Sequence, residues 1–299
     1  MSRLDWKDTA ALIAEDALAI QQDEKVVIVS GEGIEKVDGL NDLYLAVKDD
    51  LYQRGIAPVC LSYLAEPGKQ VPELVETVCC DADVIITIYT RGLLHSDAWP
   101  RIREGRKPSS RLLLLPNGNS DDFLNRMMPK TKERFYEIAG ITDKIGGQFL
   151  GEHTIRLTAP NGTDLTFRVG QLAGWAHSGV GTEPGSFILL PAGTLNLGVD
   201  EGSAEGTLVI DCHTALKWEL MEEAVTFQVK NGYAVSIQGG SYADDFAAAA
   251  AKFPNGPEET LCIAEFGLGF DKTADVRVNP SEGEHMYGAA HIGIGSNGS

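Results

Sequence analysis

The sequence predicts an α/β protein in two parts. An N-terminal open parallel-sheet α/β domain over residues 1–148 is followed by a mainly antiparallel β (α+β) domain over residues 149–299. Two observations predict this. In the first half, apolar runs of strand length alternate with helical patterns; in the second, arms of alternating polarity flank Asn-Gly turns.

The first half opens with an amphipathic stretch, Trp6 to Ile20, then the apolar run "KVVIVSG", a helical pattern from Leu40 to Arg54, and "APVCLSYL". Two further apolar runs, "DVIITIY" and "RLLLLPNG", each follow a helical segment. Four short strands separated by helices imply a parallel sheet covered on both faces. After "GGQFLGEH" the texture changes. "TIRLTAPNGTDLTFRV" and "AVTFQVKNGYAVSIQGG" each carry a two-residue turn signal between alternating arms, which predicts hairpins. The alanine-rich "SYADDFAAAAAKF" predicts one helix here, capped by Ser241 and favoured by acids in its first turn. There is no internal repeat and no low-complexity linker.

A chain of 299 residues, 43% hydrophobic, can bury a sizeable core. Its formal charge of −18, from 25 Lys+Arg against 43 Asp+Glu, repels phosphate backbones and anionic headgroups, which argues against nucleic acid and membrane partners. The N-terminus "MSRLDWKDTAALIAED" carries acids where a signal peptide is apolar, and no run approaches a spanning length, so a cytoplasmic location is expected. Five cysteines, with no CxxC pair, fit reduced core thiols. The vicinal Cys79-Cys80 closes a disulfide only in a strained ring. "SGEGIE", residues 30–35, lacks the glycines of a dinucleotide loop and the Lys-Ser/Thr of a P-loop, and its acids repel phosphate.

No two of the six histidines stand at HxxxH spacing. The strongest pair for a site assembled across the chain is Glu265 in "AEFGLGF" with His291 in "YGAAHIGIG", both inside runs of small or apolar residues. A carboxylate withdrawn from water costs several kcal/mol unless compensated. A divalent metal shared with a neutral His291 compensates it; a solvent-facing edge strand removes the need. His95 in "RGLLHSDAWP" follows the third strand, where open sheets place ligands, and is otherwise a surface helix-start histidine. His177 in "GWAHSGVGTEPG" lies in a glycine-rich segment of the kind that lines sites.

Four blocks in order, "EGSAEGTLVID", "NGYAVSIQGG", "IAEFGLG" and "MYGAAHIGIGSN", resemble the superfamily that joins aminopeptidase T/S-type metallo-aminopeptidases to 2,5-dihydroxypyridine 5,6-dioxygenase. For the peptidase branch the resemblance implies a two-metal site, with Glu265 and His291 at ligand positions. For the dioxygenase branch it implies Fe(II) held by two histidines and one carboxylate, with a histidine at the position of Glu265. "LLHS" at 93–96 and "SAEGTLV" resemble the dioxygenase. Thr194 in "LPAGTLNLG" stands where the peptidases have a further ligand glutamate, and "EPGSFILLPAG" is apolar where the dioxygenase pocket is polar and aromatic. The superfamily also carries a His-x-Asp pair beyond the last block, whereas the sequence stops at Ser299, so the β-rich metal-site domain is expected to lack its C-terminal end.

The leading expectation is a metal-dependent hydrolase acting on an amide or peptide bond of a small molecule or short peptide. It would use Zn, Mn or Co on Glu265 and His291, with His95 or His177 moving protons or orienting substrate. The alternatives are a non-haem Fe(II) ring-cleaving dioxygenase and a non-catalytic binding protein on the same fold. The resemblance further implies a homo-oligomer, at least a dimer.

Overall fold

The computed structural model describes residues 5–31, 34, 38–63, 71–88, 93, 96, 98–115, 121–214, 216–217, 219–252, 261–278 and 282–295. Half of "SGEGIE", residues 32, 33 and 35, lies outside these residues, as does His95. In chain order the first elements are α1 (Lys7–Leu12), β1 (Val26–Gly31), α2 (Asp38–Gln53), β2 (Val59–Tyr63), α3 (Glu73–Asp81), β3 (Val84–Ile88), α4 (Ala98–Gly105), β4 (Arg111–Leu114), α5 (Asp121–Met127) and α6 (Lys132–Ile141). The later elements are β5 (His153–Thr158), β6 (Asp164–His177), β7 (Phe187–Leu189), β8 (Thr194–Val199), β9 (Glu205–Ile210), β10 (Val225–Lys230), β11 (Tyr233–Gln238), α7 (Gly240–Ala250), β12 (Ile263–Gly269) and β13 (Ala290–Ile294).

These elements form two compact units: residues 1–140 with 177–192, and residues 141–176 with 193–299. The sequence reading places one boundary near residue 148. The chain instead passes between the units three times, because β7 returns to complete the first unit's sheet.

That sheet has the order β2-β1-β3-β4-β7, and every pairing in it is parallel. β1, β3 and β4 are buried along their whole length, as the unbroken apolar runs require of strands covered on both faces. One face packs Val27, Val29, Ile85 and Leu112 against Val75 and Cys79 of α3 and Trp99 and Ile102 of α4. The alternate residues Ile28, Ile86 and Leu113 are equally buried. The stretch expected as one helix from Trp6 to Ile20 is α1 continued by a π-helical turn over Ile13–Ala17, and it ends at Ala19, whose φ is 47°. Below the sheet, Asp83 accepts from the Lys25 backbone N–H at 2.9 Å and from Lys107 Nζ at 2.7 Å, tying β1, β3 and the α4–β4 connection at one corner.

The second unit is an eight-stranded sheet in the order β11-β10-β9-β6-β8-β12-β13, with β5 added on β6. Both predicted hairpins form, but the first turns over residues 159–163 and not on two residues. β5 and β6 pair antiparallel out to Thr158 opposite Asp164, and β10 and β11 out to Lys230 opposite Tyr233. In the second turn Asn231 and Gly232 both have positive φ, 50° and 85°, the conformation that makes Asn-Gly the preferred two-residue connection. α7 packs on the sheet through Tyr242 and Phe246, the latter edge-on to Phe227 with centroids 5.0 Å apart. Ser241 is not its cap. The helix starts at Gly240 after Gly239, with no side-chain cap bond and no acid in its first turn, because two glycines at φ 131° and 49° make the entry. One face of the sheet carries the core, with Leu195, Leu197, Val199, Phe266 and Phe227 buried against Ile141, Ile145 and Phe149. Among the described residues, no helix is long and apolar enough to cross a membrane.

Candidate metal centre

Three neighbouring strands repeat one pattern: a polar residue, an apolar one, then glycine. β8 has Asn196-Leu197-Gly198, β12 has Glu265-Phe266-Gly267 and β13 has His291-Ile292-Gly293. Strand alternation sends the middle residue to the core face, and Leu197 and Phe266 are 3% and 2% exposed. The polar residue and the glycine therefore share the opposite face.

Antiparallel register then sets polar against glycine. Glu265 lies between Gly198 and Gly293, and Gly267 lies between Asn196 and His291. Two strand spacings, about 9.6 Å, separate Asn196 from His291. Only a bare position between them lets their side chains meet, and Gly267 supplies it: a Cβ built there falls 2.0 Å from His291 Cε1 and 2.1 Å from Nε2. The imidazole thus occupies the space that a side chain at position 267 would take.

The result is a compact trio. Asn196 Nδ2 donates to Glu265 Oε1 at 2.8 Å and stands 3.3 Å from His291 Nε2, while Nε2 and Oε1 are 3.3 Å apart. Leu172 of β6 leans over Gly198, the β8 residue paired with Glu265. The sequence reading brings Glu265 and His291 together, and the structure does so. It corrects the expected burial: the Glu265 side chain is 45% exposed and that of His291 21%, since both project from the face opposite the core. Charge on Glu265 is therefore screened by water on one side, and desolvation is not what demands a partner.

His213 also belongs to this neighbourhood. Burial pushes its imidazole below the usual histidine range; Glu284 opposes that shift and His291 reinforces it. His177 ends β6 in the α/β unit, buried, with Phe187 edge-on at 5.8 Å, rather than in an open loop. Thr194 opens β8 and is buried. Of the residues expected in the site, Glu265 and His291 are assembled, and Asn196 joins them. The sequence reading missed Asn196; the polar-x-Gly pattern repeated in three strands is a signal that could have found it.

The donor chemistry suits a divalent cation. A carboxylate oxygen and an imidazole nitrogen converge on one point, now faced by an amide N–H. Among the described residues no three His, Cys, Asp or Glu side chains stand together as a metal set.

Residues 57–298 match the family described as NicX, 2,5-dihydroxypyridine 5,6-dioxygenase, and the chain belongs to that family. A curated 2,5-dihydroxypyridine 5,6-dioxygenase of Pseudomonas putida is 27% identical over 195 residues, covering 64% of this chain and 52% of that protein, so the chain spans about half the relative's length. The solved structure of 2,5-dihydroxypyridine dioxygenase from Pseudomonas putida KT2440 superposes with a TM-score of 0.69 at 20% identity, over 93% of this chain and 81% of that one. Wild-type AmpT from Thermus thermophilus follows with a TM-score of 0.56 at 12% identity, over 97% and 92%. Both show a shared fold, and the superfamily expected from the four motifs is the right one. The family match favours the ring-cleaving alternative over the hydrolase that Glu265 led the sequence reading to expect.

Proposed function

We propose that this chain is a metal-dependent dioxygenase that opens a small hydroxylated aromatic ring, with Glu265 and His291 as ligands of Fe(II). The carrying observation is the convergence of Glu265 Oε1 and His291 Nε2 on one point, in a chain of the NicX family. Iron at that point supplies the one-electron chemistry by which O₂ reacts with a closed-shell ring, and a site with few protein ligands keeps positions for substrate. Glu265 offsets the ion's charge, and the bare position at Gly267 makes room for the imidazole. Burial lowers the pKa of His213 and so favours its neutral form, which makes it a candidate to take the proton of a substrate hydroxyl. The occupant is a small molecule, and the assembly a homo-oligomer, which light scattering on the purified chain reads directly.

The test is anaerobic loading with Fe(II), then addition of hydroxylated pyridines under an oxygen electrode. Substrate-dependent O₂ uptake is expected, with Glu265→Gln lowering it at least about a hundredfold. No uptake with any hydroxypyridine sinks the reading.

A second reading rests on one residue. A carboxylate at 265, where the resemblance gives the dioxygenase a histidine, suits Zn, Mn or Co and metal-assisted hydrolysis of an amide. Release of amine from aminoacyl amides without O₂ consumption selects it.

A further inference from the structure

We infer that Glu282 is a positioning residue of the candidate centre: its buried side chain fixes the register in which β13 sets His291 against Gly267. The inference rests on the metal-centre reading above. A one-residue slip of β13 would turn His291 to the core face, and the packing of Ile292 and Ile294 on the core opposes it. A two-residue slip keeps every side chain on its own face, so that alternation does not oppose it. It carries His291 off the bare Gly267 to lie opposite Glu265 or Gly269. The register therefore needs a second anchor, and no short turn supplies one, because the connection from β12 to β13 runs from Phe270 to Ala289.

Backbone bonds tie the returning arm of that connection to the end of β12. Gly269 N–H donates to Ala289 O at 3.0 Å, Gly288 N–H to Gly269 O at 3.1 Å, Tyr287 N–H to Asp271 O at 3.0 Å and Asp271 N–H to His285 O at 2.8 Å. The placement of this returning arm depends on Glu282. Its carbonyl oxygen accepts from the N–H groups of His285 and Met286, both at 3.0 Å, which forms the turn that presents them to Asp271. Its side chain reaches the other way: Oε2 accepts from the Asp275 N–H at 2.7 Å, on the outgoing arm. One residue thus clamps both arms. Glu282 is 0% exposed, and a carboxylate withdrawn from water is costly unless its oxygens are held. Asp271, 1% exposed, braces the outgoing arm in the same way, its Oδ1 accepting from Thr273 N–H at 2.8 Å and Oγ1 at 2.7 Å. The strand that carries the imidazole leaves from the arm that Glu282 holds.

The experiment reads His291 directly, in the full chain labelled with ¹³C and ¹⁵N at glycine and histidine. A Cβ built on Gly267 falls 2.0 Å from His291 Cε1, so the metal-free wild type is expected to show a nuclear Overhauser contact between the ring Cε1 proton and the Gly267 α protons. In Glu282→Ala, held well below its own thermal midpoint, that contact is expected to be lost and Mn(II) affinity to fall at least about tenfold. A merely stabilising side chain lowers the midpoint and leaves contact and affinity unchanged; that result overturns the inference. Wild type that shows the contact but binds neither Mn(II) nor Fe(II) overturns the metal reading, and the contact alone then decides the role of Glu282. Where Glu282→Ala fails to fold, hydrogen exchange on unmutated protein decides. The Asp275 and Gly269 amides, corrected for intrinsic rates, are expected to exchange within about tenfold of each other, because the clamp and the end of β12 open together; an Asp275 amide about a hundredfold faster overturns it.

Discussion

Gly267 does its work by having no side chain, which lets an imidazole and an amide two strands apart touch across it. Gly267→Ala places a methyl where the His291 ring lies, and the yielding partner is a half-buried side chain, not backbone. The ring swings outward. Mn(II) affinity is expected to fall about tenfold, while the thermal midpoint shifts by only a few degrees; a large stability loss with unchanged affinity contradicts this account. At this scale the sequence was half legible. Glu265 and His291 stand out because ionisable groups in apolar runs need explaining. Asn196 does not, since an asparagine in a strand carries no chemical flag and its partners are 69 and 95 residues away. The exposure of Glu265 was hidden for the same reason: which face a strand residue takes depends on non-local pairing.

Single elements were read best where the cause is local. Asn-Gly between alternating arms specifies a hairpin within a few residues, and both hairpins form. The start of α7 was misread because Ser241 looks like a cap, whereas the two preceding glycines make the turn instead. In the α/β unit, the foot of β3 depends on Asp83. Its hydrogen bond from Lys107, then that from the Lys25 backbone, holds the carboxyl below the usual carboxylate range. A folded-state value below the unfolded one means that this stabilisation is present at neutral pH and fades as pH falls through the carboxylate range. Asp83→Asn is expected to cost roughly 0.5–1 kcal/mol at pH 7, discounted for solvent screening, and less at about pH 3. Urea unfolding of both proteins at the two pH values measures the difference.

Across the whole molecule, free thiols report on the two units separately. Cys79 lies in the α/β unit and Cys262 in the β unit, both buried, whereas Cys60 is exposed. Burial, and secondarily Cys80, pushes the Cys79 thiol up to about 12, so only about one in 10⁵ is thiolate at pH 7. Alkylation in native buffer is expected to modify Cys60 first, with Cys79 and Cys262 reacting only after denaturation; rapid native labelling of Cys79 counts against this packing. The fold class was visible throughout, because strand and helix periodicities survive in short windows. The division of the chain was not: the three-residue β7 is too short to announce itself, and its parallel pairing with β4 joins positions more than 70 residues apart.

That late return has a consequence during synthesis. Arg111–Leu114 is translated well before Phe187–Leu189, so until the ribosome has passed residue 189 the nascent parallel sheet ends in a naked, leucine-rich border. In those seconds the growing polypeptide is most open to mispairing with a neighbour, and chaperone capture belongs at that stretch of the message.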